Sequence, residues 1–252
     1  MDNRTAGQPS QVVEVRLTLA SPVRLPEERL IFGDALLLIA WVKQEFPESW
    51  VSRRPSAWVR PDLPVVRDPD GFWRVSCLRF DNVLTTHRFR IAKNIDKQVV
   101  APKVASAKTG ALAFPPALDS ACQSALIDRQ MLVAESASFL AEVPVARTDE
   151  FLDLIGLLPG VSVGPGRHVG YGAVSEATVK VVPGEASAVF DTDGSPRRPV
   201  PIKSPADKPA NSIVRAMRVE PPYWHGPVTL CACPLSQTLF KQFERRKPDG
   251  AA

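Results

Sequence analysis

The chain has 252 residues and a mass of 27.5 kDa, long enough for one substantial core with a satellite lobe. A hydrophobic fraction of 44% and a charged fraction of 23% exclude global disorder. The 25 prolines, about double ordinary usage, call for long loops and few long helices. The net charge of +4 comes from 31 basic and 27 acidic residues, and its distribution is uneven.

Arg88, Arg90, Lys93, Lys97, Lys103 and Lys108 face Asp96 alone between Thr85 and Lys108. The stretch Trp50 to Arg67 adds Arg53, Arg54, Arg60 and Arg67 against Asp62, and KQFERRK follows near the end. A single run of this kind reads as a solvated loop. Three of them, interleaved with Trp50, Trp58, Phe72, Trp73 and Phe89, point to a polyanion tracked along a surface.

The longest apolar stretch, Leu30 to Val42, is interrupted by Gly33 and Asp34 and is too short to span a bilayer. MDNRTAGQPS lacks the basic and apolar regions of a secretory signal. Cys77, Cys122, Cys231 and Cys233 form no CxxC pair, so buried thiols in a reducing cytoplasm are expected, with no metal, no cofactor and no membrane partner.

In chain order, Val12 to Ala20 alternates as a strand. Ser21 to Arg29 is a loop. Asp34, read as an N-cap, opens ALLLIAWVKQE, apolar almost all round and suited to burial between layers, with Pro47 as a stop signal. Ser49 to Gly71 is irregular. Phe72 to Phe80 and Val83 to Ala92 read as strands joined by a turn at Asp81-Asn82. Lys93 to Ala121 has no period and reads as a protruding basic insertion. Ser124 to Arg129 predicts a helical turn, and Met131 to Val145 a strand or strand pair. Thr148 to Leu158 is a short amphipathic helix capped by Thr148, with Phe151, Leu152, Ile155 and Leu158 on one face. Ala173 to Val182 is a strand, Pro183 to Pro209 a low-complexity loop, and Ser212 to Val219 and Val228 to Cys233 two late strands.

Without its insertion this order approximates β-α-β-β-α-β. It predicts an α+β fold, a ferredoxin-like or RRM-type antiparallel sheet core with a basic insertion and a C-terminal β extension. The expected organisation is a core over 11–182 with the insertion at about 93–121, a Pro-rich loop over 183–211, and strands over 212–240 completing the same domain.

The most informative segment is PGVSVGPGRHVGYG, Pro159 to Gly172, with five glycines around Arg167 and His168. Glycines let backbone N–H groups approach a phosphate without Cβ interference. There is no GK[ST], and Gly164, Gly166 and Gly170 are not spaced as GxGxxG. The segment also lies after a helix and before a strand, the reverse of a dinucleotide site. A plain tight loop is the bland reading; the embedded Arg-His pair favours a phosphodiester cradle.

The helix followed by GVSVGPGRHVGYGAVSEATVKVV resembles the glycine-rich loop and following strand of the RAMP superfamily of CRISPR-associated proteins. With IFGDALLLIAW, TGALAFPPALDSAC and PPYWHGPVTLCACP, it is similar to the Cas-five-type subunit of type IV effector complexes over most of Val12 to Pro234. The resemblance implies a non-catalytic subunit that binds the 5′ handle of a guide RNA. Its other implied partners are backbone and large-subunit proteins, and target DNA through the complex. It implies that Gly164, Gly166, Arg167, His168, Gly170 and Gly172 sit on handle phosphates. Arg88, Arg90, Lys93, Lys97, Lys103 and Lys108 would form a thumb or its base, and Tyr171 and Trp224 would stack on a splayed base. For Trp224 a half-buried core position is an equal reading.

Two other function classes stay open. RAMP relatives include Cas-six-type RNA endonucleases, and metal-independent cleavage wants a His base. This chain has only His87, His168 and His225, with none between Asp34 and Glu45, where processing relatives place the base. A protein-only scaffold, docking through Pro183 to Pro209, is the second alternative.

Overall fold

The computed structural model describes residues 9–25, 30–46, 61–93, 125–165, 170–184, 186–219, 227–235 and 240–242, with backbone alone at 87–93, 125–130 and 240–242. Alternation along β1 (Ser10–Leu19) sorts its side chains between two faces: Val13, Val15 and Leu17 are buried, while Arg16 and Thr18 are exposed on the other side. Both neighbours of β1 run antiparallel to it: β4 (Ala125–Pro144) on one side, β5 (Val174–Val181) on the other. Val15 lies opposite Phe139 in one and Val179 in the other, a continuous apolar row across the sheet.

β3 (Arg79–Lys93) lies beyond β4, so the central order is β5-β1-β4-β3. With these strands as the first to fourth of the repeat, that is fourth-first-third-second, the split arrangement of the ferredoxin-like fold. At the margins, β2 (Val23–Arg24) pairs with β4, and β9 (Phe240–Gln242) joins β3 in parallel. The crossover helices are α1 (Gly33–Glu45) and α2 (Thr148–Gly156). Leu36, Leu37 and Ala40 of α1 and Phe151, Leu154 and Ile155 of α2 complete the main core with the buried face of β1. The near-complete apolar surface of α1 is buried as expected, and the i, i+3, i+4 spacing in α2 aims three side chains at one surface.

Several local expectations are corrected. Residues 72–78 form isolated bridges (Arg67 with Trp73, Val75 with Ala141, Phe32 with Cys77) rather than a strand. Asp81-Asn82 does not turn the chain. β3 runs straight through it, with Asn82 at φ +51° where the pairing to β9 shifts register, so the dyad is a bulge. Ser124 to Arg129 is not helical: β4 begins at Ala125. Thr148 does not cap α2. Its hydroxyl donates to Val145 O at 2.9 Å and accepts from Gln11 Nε2 at 3.1 Å, and Arg147 occupies the cap position.

The chain divides into two compact units, 1–86 with 132–252, and His87–Met131. β3 runs into the second unit and β4 leaves it, which puts the insertion between these two strands. Most of Lys93 to Ala121 lies outside the described residues.

Pro183 to Pro209 is not a low-complexity loop but ordered structure. It carries β6 (Val200–Pro201) and a 3-10 turn at Pro205–Asp207 closed by a capping box from Ser204. β6 pairs with β8 (Thr229–Pro234), which pairs antiparallel with β7 (Ser212–Met217) in a second, three-stranded sheet. Phe72, Cys77, Val189, Val219, Cys231 and Cys233 form its core, and Ala188 packs on Val12 and Leu140 of the first sheet.

One ion pair ties this segment to the helices. Asp34, expected as a cap, is instead wholly buried in the first turn of α1, and its Oδ2 accepts from Arg198 Nη1 at 3.1 Å. Arg198 is likewise 0% exposed. It also donates to the carbonyls of Trp73, Val75 (3.0 Å) and Val219 (3.1 Å), and its guanidinium lies 4.7 Å from the Phe72 ring centroid. A buried charge persists only when paired and saturated with hydrogen bonds, and both conditions are met here.

Candidate nucleic-acid interface

The glycine segment folds into an arch. Its rising arm, Val161 to Val163, plugs two fully buried valines into the main core, and its returning arm, Gly172 to Val174, leads into β5. The arms are laced by Gly160 N to Val174 O (2.9 Å), Val174 N to Val161 O (3.0 Å) and Val163 N to Gly172 O (2.7 Å). Between the arms the described residues are Gly164, Pro165, Gly170 and Tyr171; Gly166, Arg167, His168 and Val169 lie outside the described residues.

The glycines are not equivalent. Gly172 has φ +68° and sits so close to Val163 O that a Cβ has no room. Gly164 has φ +78°, and a Cβ there would lie 2.5 Å from Arg24 O. These two are required by the fold itself. The Gly172 N–H is already committed, donating to Pro22 O at 2.8 Å. Gly170, exposed, and Gly160, at the foot of the arch, each meet no described atom within 4 Å of where a Cβ would stand. Tyr171, between Gly170 and Gly172, is half-buried.

The turn after β1 clamps the base of the arch. Ala20 N donates to Ala173 O at 2.8 Å, and the Ser21 hydroxyl donates to Gly170 O and accepts from Ala173 N, both at 2.8 Å. Sequence reasoning missed Ser21: a serine in a loop carries no local mark of a partner 149 residues away.

The other anticipated residues are not brought to this arch by anything described. Arg88, Arg90 and Lys93 lie on β3, where only backbone is described, and Lys97, Lys103, Lys108 and Trp224 fall outside the described residues, as do Trp50 and Trp58. Two of the interleaved aromatics are corrected: Phe72 and Trp73 are buried core residues, 1% and 4% exposed, and offer no face to a base. Arg67 stacks 5.6 Å from the Trp73 ring and donates to Gly71 O at 2.8 Å, so it closes a local turn.

Among the described residues, the two central rows of the sheet face away from the helices hold no aromatic side chain. They carry Glu14 and Arg16 on β1 opposite Leu140 and Ser138 on β4. Arg16 and Arg79 both approach Asp81, at 4.0 and 3.6 Å, so one carboxylate offsets part of their charge. RRM domains stack bases on sheet aromatics, and these rows hold none.

Cys77, Cys231 and Cys233 are free, buried thiols, and Cys122 lies outside the described residues. Burial pushes Cys231 up to about 11 and Cys233 up to about 12, and it raises Cys77 further. Among the described residues no group of three or more His, Cys, Asp or Glu is placed to hold a metal, and no helix is long and apolar enough to cross a membrane.

No protein-family model matches the chain, and no curated protein matches it. Among solved structures, a chain from a cryo-EM structure of the type III-B Cmr-beta bound to cognate target RNA is similar with a TM-score of 0.39 and 10% identity. The likeness covers 69% of this chain and 61% of that one, so this chain spans about three fifths of that neighbour's length.

Proposed function

We propose that this protein is a non-catalytic RNA-binding subunit of a CRISPR effector ribonucleoprotein of type IV. In this reading it caps the 5′ handle of the guide RNA and contacts backbone and large-subunit proteins, and through them target DNA, in the cytoplasm. The observation that carries the reading is the glycine arch. Two arms, Val161 to Val163 and Gly172 to Val174, are anchored in the core, the sequence between them carries Arg167 and His168, and the last glycine of that stretch, Gly170, is exposed. Backbone N–H groups freed from Cβ crowding, together with an arginine, bind phosphodiesters as nests do. The basic residues between Arg88 and Lys108 supply further charge along the same chain.

The test is a small-RNA extraction from the tagged protein co-expressed with its partners and a CRISPR array. The wild type is expected to retain a uniform guide RNA, and an Arg167→Ala/His168→Ala variant to lose it. Accumulation of unprocessed precursor in that variant would instead identify an endonuclease, and a wild type that carries no RNA would identify a scaffold. RNA affinity is expected to fall by roughly 0.7 log units per phosphate contact for each log unit of salt, and a flat response would exclude phosphate-dominated binding.

A further inference from the structure

We infer that Ser21 is the buckle of the glycine arch and a positioning residue for RNA bound there; this rests on the reading of the arch as the RNA site. Points along the turn between β1 and β2 hold the arch one after another. Ala20 N donates to Ala173 O, the Ser21 hydroxyl bridges Gly170 O and Ala173 N, Pro22 O accepts from Gly172 N, and Arg24 O lies under Gly164. All of these are backbone contacts except one. Among the described hydrogen bonds of the clamp, Ser21 is the one donor and acceptor that acts through a side chain, so a substitution there removes it.

Its position gives the contact leverage. The turn extends directly from β1, which lies between β5 and β4 and whose Val13, Val15 and Leu17 are buried, so the arch is referenced to a strand paired on both sides. The hydroxyl works in both directions at once: it donates to the exposed Gly170 and accepts from the first residue past the crowded Gly172. It therefore fixes Gly170 and Ala173 relative to each other across the start of the returning arm. A loop that binds through backbone N–H groups gains affinity from being ordered before the ligand arrives. Removing the hydroxyl leaves the Ala173 N–H without this acceptor and returns that ordering cost to the binding step.

The experiment compares the full-length wild type with Ser21→Ala, Ser21→Thr and Arg167→Ala/His168→Ala. Binding is read with a fluorescein-labelled single-stranded RNA of mixed sequence, and amide hydrogen exchange is read on the RNA-free proteins. Ser21→Ala is expected to speed exchange at Gly170 to Val174 and to weaken RNA binding by about threefold to tenfold at an unchanged salt slope. Ser21→Thr, which keeps the hydroxyl, is expected to restore both. Wild-type exchange in Ser21→Ala overturns the buckle. Faster exchange with undiminished RNA affinity also overturns it, if Arg167→Ala/His168→Ala still loses RNA. If neither variant loses RNA, or the wild type binds none, the arch is not the RNA site and the reading beneath the inference fails.

Discussion

Two polar constructions stand out in this molecule, and they behave in opposite ways. The Asp34–Arg198 pair is 0% exposed, with the arginine donating to one carboxylate and four carbonyls among the described residues. The glycine arch is held by equally good hydrogen bonds at its base, but its Gly170 is exposed. The first arrangement turns every donor inward and leaves nothing to offer a ligand. The second commits its base to the fold and leaves Gly170 at the surface.

The largest expected effect breaks the first construction. Arg198→Met removes the ion pair to the buried Asp34 and is expected to cost about 3–5 kcal/mol in urea unfolding of the full chain. The double change Asp34→Leu/Arg198→Met is expected to recover part of that loss, because the buried carboxylate is then removed as well. A single variant within 1 kcal/mol of wild type, on the order of a surface change, would mean that the pair does not hold the C-terminal segment in place.

Within the arch the contrast is sharper and smaller. Gly172→Ala forces a Cβ against Val163 O at positive φ and is expected to cost about 2 kcal/mol or more. Gly170→Ala meets no described atom within 4 Å and is expected to cost roughly 1 kcal/mol, the backbone preference alone. Equal losses in thermal unfolding would show that the two glycines share one role.

The smallest effect concerns the second sheet. Cys231 and Cys233 have pKa values raised by burial to about 11 and about 12, from an ordinary value of 9.0. The folded state therefore holds their protons more tightly than the unfolded chain does. The stability this contributes is complete below about pH 9 and is lost as pH rises toward 12. Iodoacetamide at pH 8 is expected to leave Cys77, Cys231 and Cys233 unmodified in the native protein and to label them in urea, as read by peptide mass spectrometry. Rapid native labelling would mean that the second sheet opens.

Much of the fold was legible because its signals are local. The alternation of Val13, Val15 and Leu17, the apolar run in α1 and the pairing of Phe151 with Ile155 in α2 each specify an element within a few residues. Leu152, read onto the same face of α2, is nonetheless exposed, and Leu154 is buried in its place. The stretch from Phe72 to Phe80 misled because alternating residues look alike whether they form a ladder or isolated bridges. The Pro183 to Pro209 stretch misled because its order comes from outside itself. A hint was nonetheless present: an acid at the head of the apolar run Ala35 to Val42 needs a cation if it is buried, and Arg197-Arg198 lies within the prolines. Of the candidate site, the glycines and the Arg-His pair were visible as a motif, but Ser21 was not.

By itself the sequence determined the kinds and order of the core elements and the presence of a glycine-rich connection before the last core strand. Periodicity and backbone sterics act over a handful of residues and need no partner. Only the tertiary structure decided which glycines are crowded and which are not. It also decided that Asp34 pairs with a residue 164 positions away and that a serine after the first strand fastens the arch. Those outcomes depend on which surfaces the sheet order brings together, and such distant contacts leave no local pattern in the chain.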